Sequence, residues 1–186
     1  GIGFQIAKDF LLEGAFVGVH YCNNLKGAKR TLKYAKNKQC KIFKSDFSSS
    51  KEVSALWNEF ILWSKGHIDV LVNNAGINQK KPFLEVTNED FDRIVKTNQT
   101  ALFAMTREVA RVMVDQVQKG TIVHISSMSA HYGIPQVTAY SASKTAVEGM
   151  TRSMAVDLSP MGIRVNCVAP GFISTPMSAK AFNSDP

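Results

Sequence analysis

The feature that most constrains this chain is an alternation. Short runs rich in β-branched and apolar residues occur at "AFVGVHY" (15–21), "CKIFKS" (40–45), "IDVLVNN" (68–74), "GTIVHIS" (120–126) and "IRVNCVA" (163–169). Between them lie stretches of helical periodicity at 3–13, 25–36, 50–64, 88–118 and 138–159. Strands that read as nearly continuous apolar runs, each followed by a helix, predict an α/β chain: a parallel sheet with helices on both faces. No repeat, low-complexity tract or linker interrupts the pattern, so residues 1–186 are expected to form one domain. Thr87 or Asn88 is expected to cap the long helix, with acidic residues in its first turn.

In a sheet of this kind, ligands bind outside the carboxyl ends of the strands. The segments at those ends are "CNN" (22–24), "DFSSS" (46–50), "NNAGIN" (73–78), "SSMSAHYG" (126–133) and "PGFISTPM" (170–177). They are small, polar and glycine-containing, as a cleft lined by phosphate and sugar requires. Ahead of the first helix, Gly1 and Gly3 in "GIGFQIAKDF" leave backbone N–H groups and a helix dipole open to a pyrophosphate, though any helix can begin with glycine. "NNAG" at 73–76 either forms a turn or lets the backbone pass close to a flat ligand. Asp46, at a strand end, could accept a hydrogen bond from an exocyclic amine such as that of adenine, or serve as a turn or cap residue for the helix at 50–64.

"TAYSASKTAVEG" places Tyr140 and Lys144 four residues apart at the start of a helix, hence on one face. An ammonium beside a phenol favours the phenolate, and a tyrosine lowered in this way can act as general acid or base near neutral pH. Ser127, at the end of the preceding strand, could hold a carbonyl oxygen while the phenol gives up its proton. A packed tyrosine with a solvated lysine is the plain alternative. It loses because a serine-bearing strand end, a glycine loop and a helix start with small residues converge on the same stretch.

The net charge of +7 favours anionic partners, and much of it lies in residues 25–44. No nucleic-acid motif accompanies it, so a solvated basic helix that attracts a phosphorylated cofactor is the better reading. Cys22, Cys40 and Cys167 are scattered and lack C-x-x-C spacing, which points to reduced thiols, a cytoplasmic setting and no metal site. No apolar run approaches the roughly 20 residues of a membrane-spanning helix.

Together the motifs resemble the short-chain dehydrogenase/reductase family. The matching residues are Gly1 and Gly3, Asp46, "NNAG" at 73–76, Asn98 in "VKTNQT", Ser127 in "ISSMS", "YSASK" at 140–144 and "PGFIST" at 170–175. Ser127 stands thirteen residues before Tyr140, as the family's serine does. The resemblance implies a Rossmann-type fold and hydride transfer between a nicotinamide and a carbonyl or secondary alcohol. It implies Tyr140 as acid/base, Ser127 as holder of the substrate oxygen, Lys144 as partner of the tyrosine and the nicotinamide ribose, and Asn98 as anchor of a water that links the lysine to solvent. For the cofactor it implies Gly1, Ile2 and Gly3 at the pyrophosphate, Asp46 and Phe47 at the adenine, Asn74, Ala75 and Gly76 on the adenosine side, and Pro170, Gly171, Ile173 and Thr175 around the nicotinamide. Substrate contacts are expected from Asn78, Ser129, His131, Gln136 and the segment after Phe172.

Cofactor preference turns on "HYCNN" (20–24). A carboxylate at this strand end would bind a ribose 2′-hydroxyl and select NAD. Tyr21 stands there, followed by Cys22, Asn23 and Asn24, with Lys26 and Lys29 beyond. NADP(H) is therefore favoured, with NAD(H) as the alternative. The resemblance is closest in flavour to 3-oxoacyl-carrier-protein reductases, with sugar or polyol dehydrogenases as the alternative. The substrate is a small carbonyl or alcohol compound, carried on acyl-carrier protein in the first case, with no nucleic-acid or membrane partner. Relatives form dimers or tetramers through the long helices, and the same is expected here. The family pattern also has a strand and a T-G pair before G-I-G and further elements after residue 186, so the chain reads as an internal stretch of a longer protein. Without that strand, those at 15–21 and 68–74 are expected to leave unpaired sheet edges. A non-catalytic nucleotide-binding relative would lack Tyr140, Lys144 or Ser127, and a serine hydrolase would need a G-x-S-x-G elbow; neither condition is met.

Overall fold

A computed structural model of the chain describes residues 1–36, 38–117 and 119–175. It contains five strands, β1 (Val17–Tyr21), β2 (Cys40–Lys44), β3 (Val70–Asn73), β4 (Gly120–Ile125) and β5 (Ile163–Val168). Each falls inside an apolar run picked out above. All pair in parallel, but as two sheets, β1 with β2 and β3-β4-β5. The second edges of β1 and β3 pair with no strand among the described residues, in line with the unpaired edges expected from the sequence. The described residues divide into two compact units, residues 1–46 with 172–175 and residues 47–171.

In the first unit, helix α1 (Ile2–Leu12) buries Ala7 and Leu11, and packs on β1 and on α2 (Leu25–Thr31). The chain leaves α1 through Gly14 at φ +89°, a conformation that favours glycine. Asn24 caps α2 by accepting from the Gly27 N–H at 2.8 Å. A 3-10 turn, Leu32–Tyr34, completes the helical stretch.

In the second unit, α3 (Ser50–Trp63) is capped by Ser49, which takes the role also open to Asp46. The long helical pattern resolves into α4 (Asn88–Val95), a π turn at Lys96–Thr100 and α5 (Ala101–Asp115). Thr87 is the N-cap and forms a reciprocal capping box with Asp90. Helix α6 (Thr138–Leu158) carries the Tyr140–Lys144 pair. Helix α3 packs on α5, α5 on β3 and β4, and α6 on β4 and β5. The core joins Ile68, Val109, Ala110, Met113, Ile122, Ile163 and Val165, with Trp57, Phe60 and Leu158 at its rim. Met113, Ile122 and Ile163 are wholly buried, each contributing about 1.5–3 kcal/mol. Among the described residues no helix is long and apolar enough to cross a membrane.

Candidate active site

The second unit brings its expected catalytic residues together at the carboxyl ends of β3 and β4. Strand β4 ends at Ile125, and Ser127 two residues on caps a 3-10 turn, Met128–Ala130, its hydroxyl accepting from the Ser129 N–H at 3.2 Å. The same hydroxyl hydrogen-bonds the half-buried Tyr140.

Lys144 is only 4% exposed, and its ammonium donates to the Ile125 carbonyl at 2.7 Å. It lies 5.7 Å from the centroid of the Tyr140 ring. Burial pushes its pKa down to about 8, against a smaller upward pull from Cys167. Tyr140 differs from expectation in direction. Burial raises the phenol above its ordinary value, and the Ser127 hydrogen bond opposes this without reversing it. The ammonium is itself desolvated and turned onto a carbonyl, so its attraction does not overcome burial.

Asn98 lies in the π turn, which swings it out of the regular helical row into the interior, where it is 1% exposed. Its carbonyl oxygen accepts from the Ile77 N–H at 2.9 Å, and its amide donates to the Ile77 carbonyl and to Ser143 Oγ, both at 3.0 Å. Ser143 in turn donates to the Tyr140 carbonyl at 2.7 Å. Asn98 thus clasps the loop after β3 to the first turn of α6. This clasp is the structural role that its contacts display. Gly76 sits against it: an added Cβ would lie 3.3 Å from Asn98 Oδ1 and 3.5 Å from Lys144 Nζ. Asn74, Ala75 and Gly76, all half-buried, therefore border the lysine and asparagine.

The substrate-side expectations fare unevenly. Ser129 is 4% exposed, and its hydroxyl has no partner among the described residues. His131 is exposed, and its Nε2 meets Glu148 Oε1 at 2.9 Å, an oxygen that Ser126 also reaches at 2.9 Å. It lines a cavity of about 390 Å³ with Glu148, Arg152 and Cys167. Gln136 adopts φ +65°, its carbonyl accepting from the Lys81 N–H at 2.8 Å. Asn78 is exposed. Pro170 accepts from the Met128 N–H at 2.9 Å, which joins the segment after β5 to the Ser127 turn, and Gly171 follows it in the open. Of the substrate segment after Phe172, residues 176–186 lie outside the described residues.

In the first unit, Tyr21 ends β1 and its carbonyl accepts from the Ser45 N–H at 3.1 Å, so Tyr21, Cys22, Asn23 and Asp46 gather at one end of this small sheet. Asn23 and Asp46 are exposed, as are Lys26 and Lys29 on α2. The oxygen of Asn24 is committed to its cap. Helix α1 starts at Gly1 with no side-chain cap and no acidic residue in its first turn, which fits an anionic group. A Cβ at Gly1 would lie 3.9 Å from that of Thr175, so these two expected cofactor residues adjoin; Ile2, Gly3 and Ile173 flank them in sequence. Phe47 is half-buried. Taken separately, each unit has a feature that suits a nucleotide: in the first an uncapped helix start for phosphate, in the second a glycine where a side chain would press on the lysine.

Sequence reasoning missed Ser143, Ile77, Lys81 and the polar side chains around His124. Only His124 carried a signal, as a lone polar residue inside the apolar run "GTIVHIS".

Comparison with known proteins supports the same reading. Residues 1–186 match the family model described as short chain dehydrogenase. Nodulation protein G of Rhizobium meliloti (strain 1021) is 36% identical over 179 residues, covering 96% of this chain and 71% of that protein. The 3-oxoacyl-(acyl-carrier-protein) reductase of Chlamydia trachomatis is 34% identical over 187 residues, covering 100% of this chain and 74% of that one. Among solved structures, 4-hydroxyisoleucine dehydrogenase complexed with NADH superposes with a TM-score of 0.91 at 32% identity, covering 99% of this chain and 74% of its own. With Ser127, Tyr140 and Lys144 gathered beside the Asn98 clasp and a family match along its whole length, this chain belongs to the short-chain dehydrogenases, oxidoreductases acting on alcohols and carbonyls.

Proposed function

We propose that the protein is a carbonyl reductase favouring NADP(H), acting on 3-oxoacyl substrates carried on acyl-carrier protein. The observation that carries the reaction is the protonated, half-buried Tyr140 hydrogen-bonded by Ser127, with the Lys144 ammonium on the same helix face. Ser127 holds the carbonyl oxygen and Tyr140 gives it a proton. A phenol whose pKa is raised stays protonated at neutral pH and so suits proton donation in the direction of reduction. The nicotinamide, when bound, supplies the hydride. Lys144 steadies the phenolate left behind, and its charge is kept below about pH 8. Reduction is therefore expected to slow as pH rises through that value, because the charged lysine is the active form.

For the cofactor, the reading rests on Tyr21 at the end of β1 where an NAD enzyme carries a carboxylate, and on the exposed Lys26 and Lys29 nearby in sequence. Gly1, Ile2, Gly3, Asp46 and Thr175 in the first unit, and Asn74, Ala75 and Gly76 in the second, are the proposed contacts. Calorimetric titration tests this. NADPH should bind more tightly than NADH, and Lys26→Ala with Lys29→Ala should narrow the gap. Tighter binding of NADH by the unaltered protein overturns the preference.

Three further expectations belong to the same proposal. Residues 1–186 serve one dinucleotide-binding function. The protein assembles as a dimer or tetramer through α4, α5 and α6, where Phe91 and Phe103 are 42% and 45% exposed. Its setting is cytoplasmic, consistent with three free cysteines. Light scattering of the purified protein decides the second point.

A further inference from the structure

Strand β4 carries one ionisable side chain in its interior. His124 is wholly buried, and its register neighbours are Asn73 on β3 and Cys167 on β5. Nothing in the hydride-transfer reading uses it. Yet it stands at the centre of a line of side chains drawn from four elements.

The protons along this line can be placed one by one. Thr151 on α6 donates its only hydroxyl proton to the Val147 carbonyl at 2.7 Å. It therefore accepts from His124 Nδ1, 2.8 Å away, which must carry a hydrogen. A neutral ring then leaves Nε2 as an acceptor, and Thr106 on α5 donates to it at 3.2 Å. Thr106 accepts in turn from the Asn73 amide at 2.9 Å. Every donor has an acceptor and the line runs in one direction. The other tautomer would force Thr151 to abandon Val147 and would set the Thr106 hydroxyl between two donors.

We propose that His124 is a positioning residue: a histidine held neutral with its proton on Nδ1, tying the strand end at Asn73 to the helix that bears Tyr140 and Lys144. It thereby sets the spacing between the turn 74–76 and the first turns of α6. The functional meaning of that spacing rests on the reading of the site as a dehydrogenase.

The surroundings keep the ring neutral. The titratable groups facing it are Lys144 on α6 and Cys167 on β5, with Glu148 of α6 beyond the cysteine. From β3 and α5 it meets Asn73 and Thr106, which do not titrate. Burial and the Lys144 charge together bring its pKa down to about 4. A second proton would add a cation to an interior that already holds one, and would cost the Thr106 bond.

The test begins with the unaltered protein and needs no cofactor. Long-range nitrogen–proton correlation spectra of the His124 ring should show the proton on Nδ1, unchanged from pH 8 to pH 5. A proton on Nε2, or titration near the ordinary histidine value, overturns the inference. Backbone amide spectra of His124→Leu and His124→Gln provide the second arm. The leucine removes donor and acceptor, whereas the glutamine keeps one of each. The amides of 74–76 and 140–144 should move in the leucine variant and largely return in the glutamine variant. Unmoved amides in the leucine variant, or equal displacement in both, overturn the positioning role. Should the leucine variant fail to fold, the ring spectrum and the glutamine variant still decide. Dinucleotide affinity then separates the two layers of the argument. A loss of about tenfold in the leucine variant alone, the worth of one buried hydrogen bond, joins the brace to cofactor binding. Absence of binding by the unaltered protein sinks the dehydrogenase reading and leaves the ring and amide results to judge His124.

Discussion

Replacing Lys144 with methionine should separate stability from activity. The lysine is 4% exposed, and burial holds its pKa at about 8 against an ordinary value of 10.5. At about 1.4 kcal/mol per pKa unit, the charged lysine therefore costs the folded chain about 3 kcal/mol at neutral pH. Methionine fills a similar unbranched volume without charge. Against that relief stands the Ile125 carbonyl, which loses its ammonium partner at a penalty of about 1–3 kcal/mol. The variant should therefore be as stable as the parent at pH 7, or more stable by up to about 2 kcal/mol, where an ordinary core change destabilises. The sign with pH follows from the depressed pKa. Between about pH 8 and 10.5 the unfolded chain holds a proton that the folded chain has released, so stability from this group rises with pH across that window. The methionine variant lacks that rise. Urea unfolding followed by fluorescence of Trp57 and Trp63, at pH 7 and at pH 10, should show the parent gaining on the variant by about 2–3 kcal/mol. Groups away from Lys144 titrate alike in both proteins and cancel in the difference, whereas Cys167 and His124, which feel its charge, do not cancel fully. Parallel pH dependence would refute the account of a desolvated lysine.

Other outcomes follow from the same contacts. Gly76→Ala sets a methyl 3.3 Å from Asn98 Oδ1 and should lower stability by about 1 kcal/mol with a measurable loss of turnover, read by thermal unfolding and steady-state rates. Asn98→Leu removes three hydrogen bonds and leaves the Ile77 groups unpaired, so urea unfolding should show a loss of about 2–4 kcal/mol. The pH–rate profile for carbonyl reduction should fall on the alkaline side near pH 8, and a flat profile to pH 10 would remove Lys144 from the role given to it.

The strands were legible because parallel strands buried on both faces need unbroken apolar runs, and such runs recur five times here. Their pairing into two sheets agrees with the unpaired edges that the family resemblance implies for the runs at 15–21 and 68–74, since periodicity says nothing of which edges meet. The long helix at 88–118 hid its π turn, because one extra residue in a turn barely disturbs helical periodicity over a long stretch. Asn98 was found by resemblance, but its clasp on Ile77 and Ser143 was not, because the partners stand 21 and 45 positions away in sequence. The direction of the Tyr140 shift was misjudged for a related reason. Spacing on a helix reveals a neighbouring charge, whereas burial depends on the whole fold. The Lys81–Gln136 contact escaped for want of any local signal.

The most direct test of the central claim is the rate of NADPH consumption with a panel of 3-oxoacyl thioesters, measured for the parent and for Tyr140→Phe. The account predicts turnover by the parent, and a loss of about 10²–10⁴-fold in the variant with cofactor affinity unchanged, since phenylalanine keeps the ring and removes the proton. Turnover that survives in Tyr140→Phe would contradict the assignment of Tyr140 as the proton donor and, with it, the mechanism built around it.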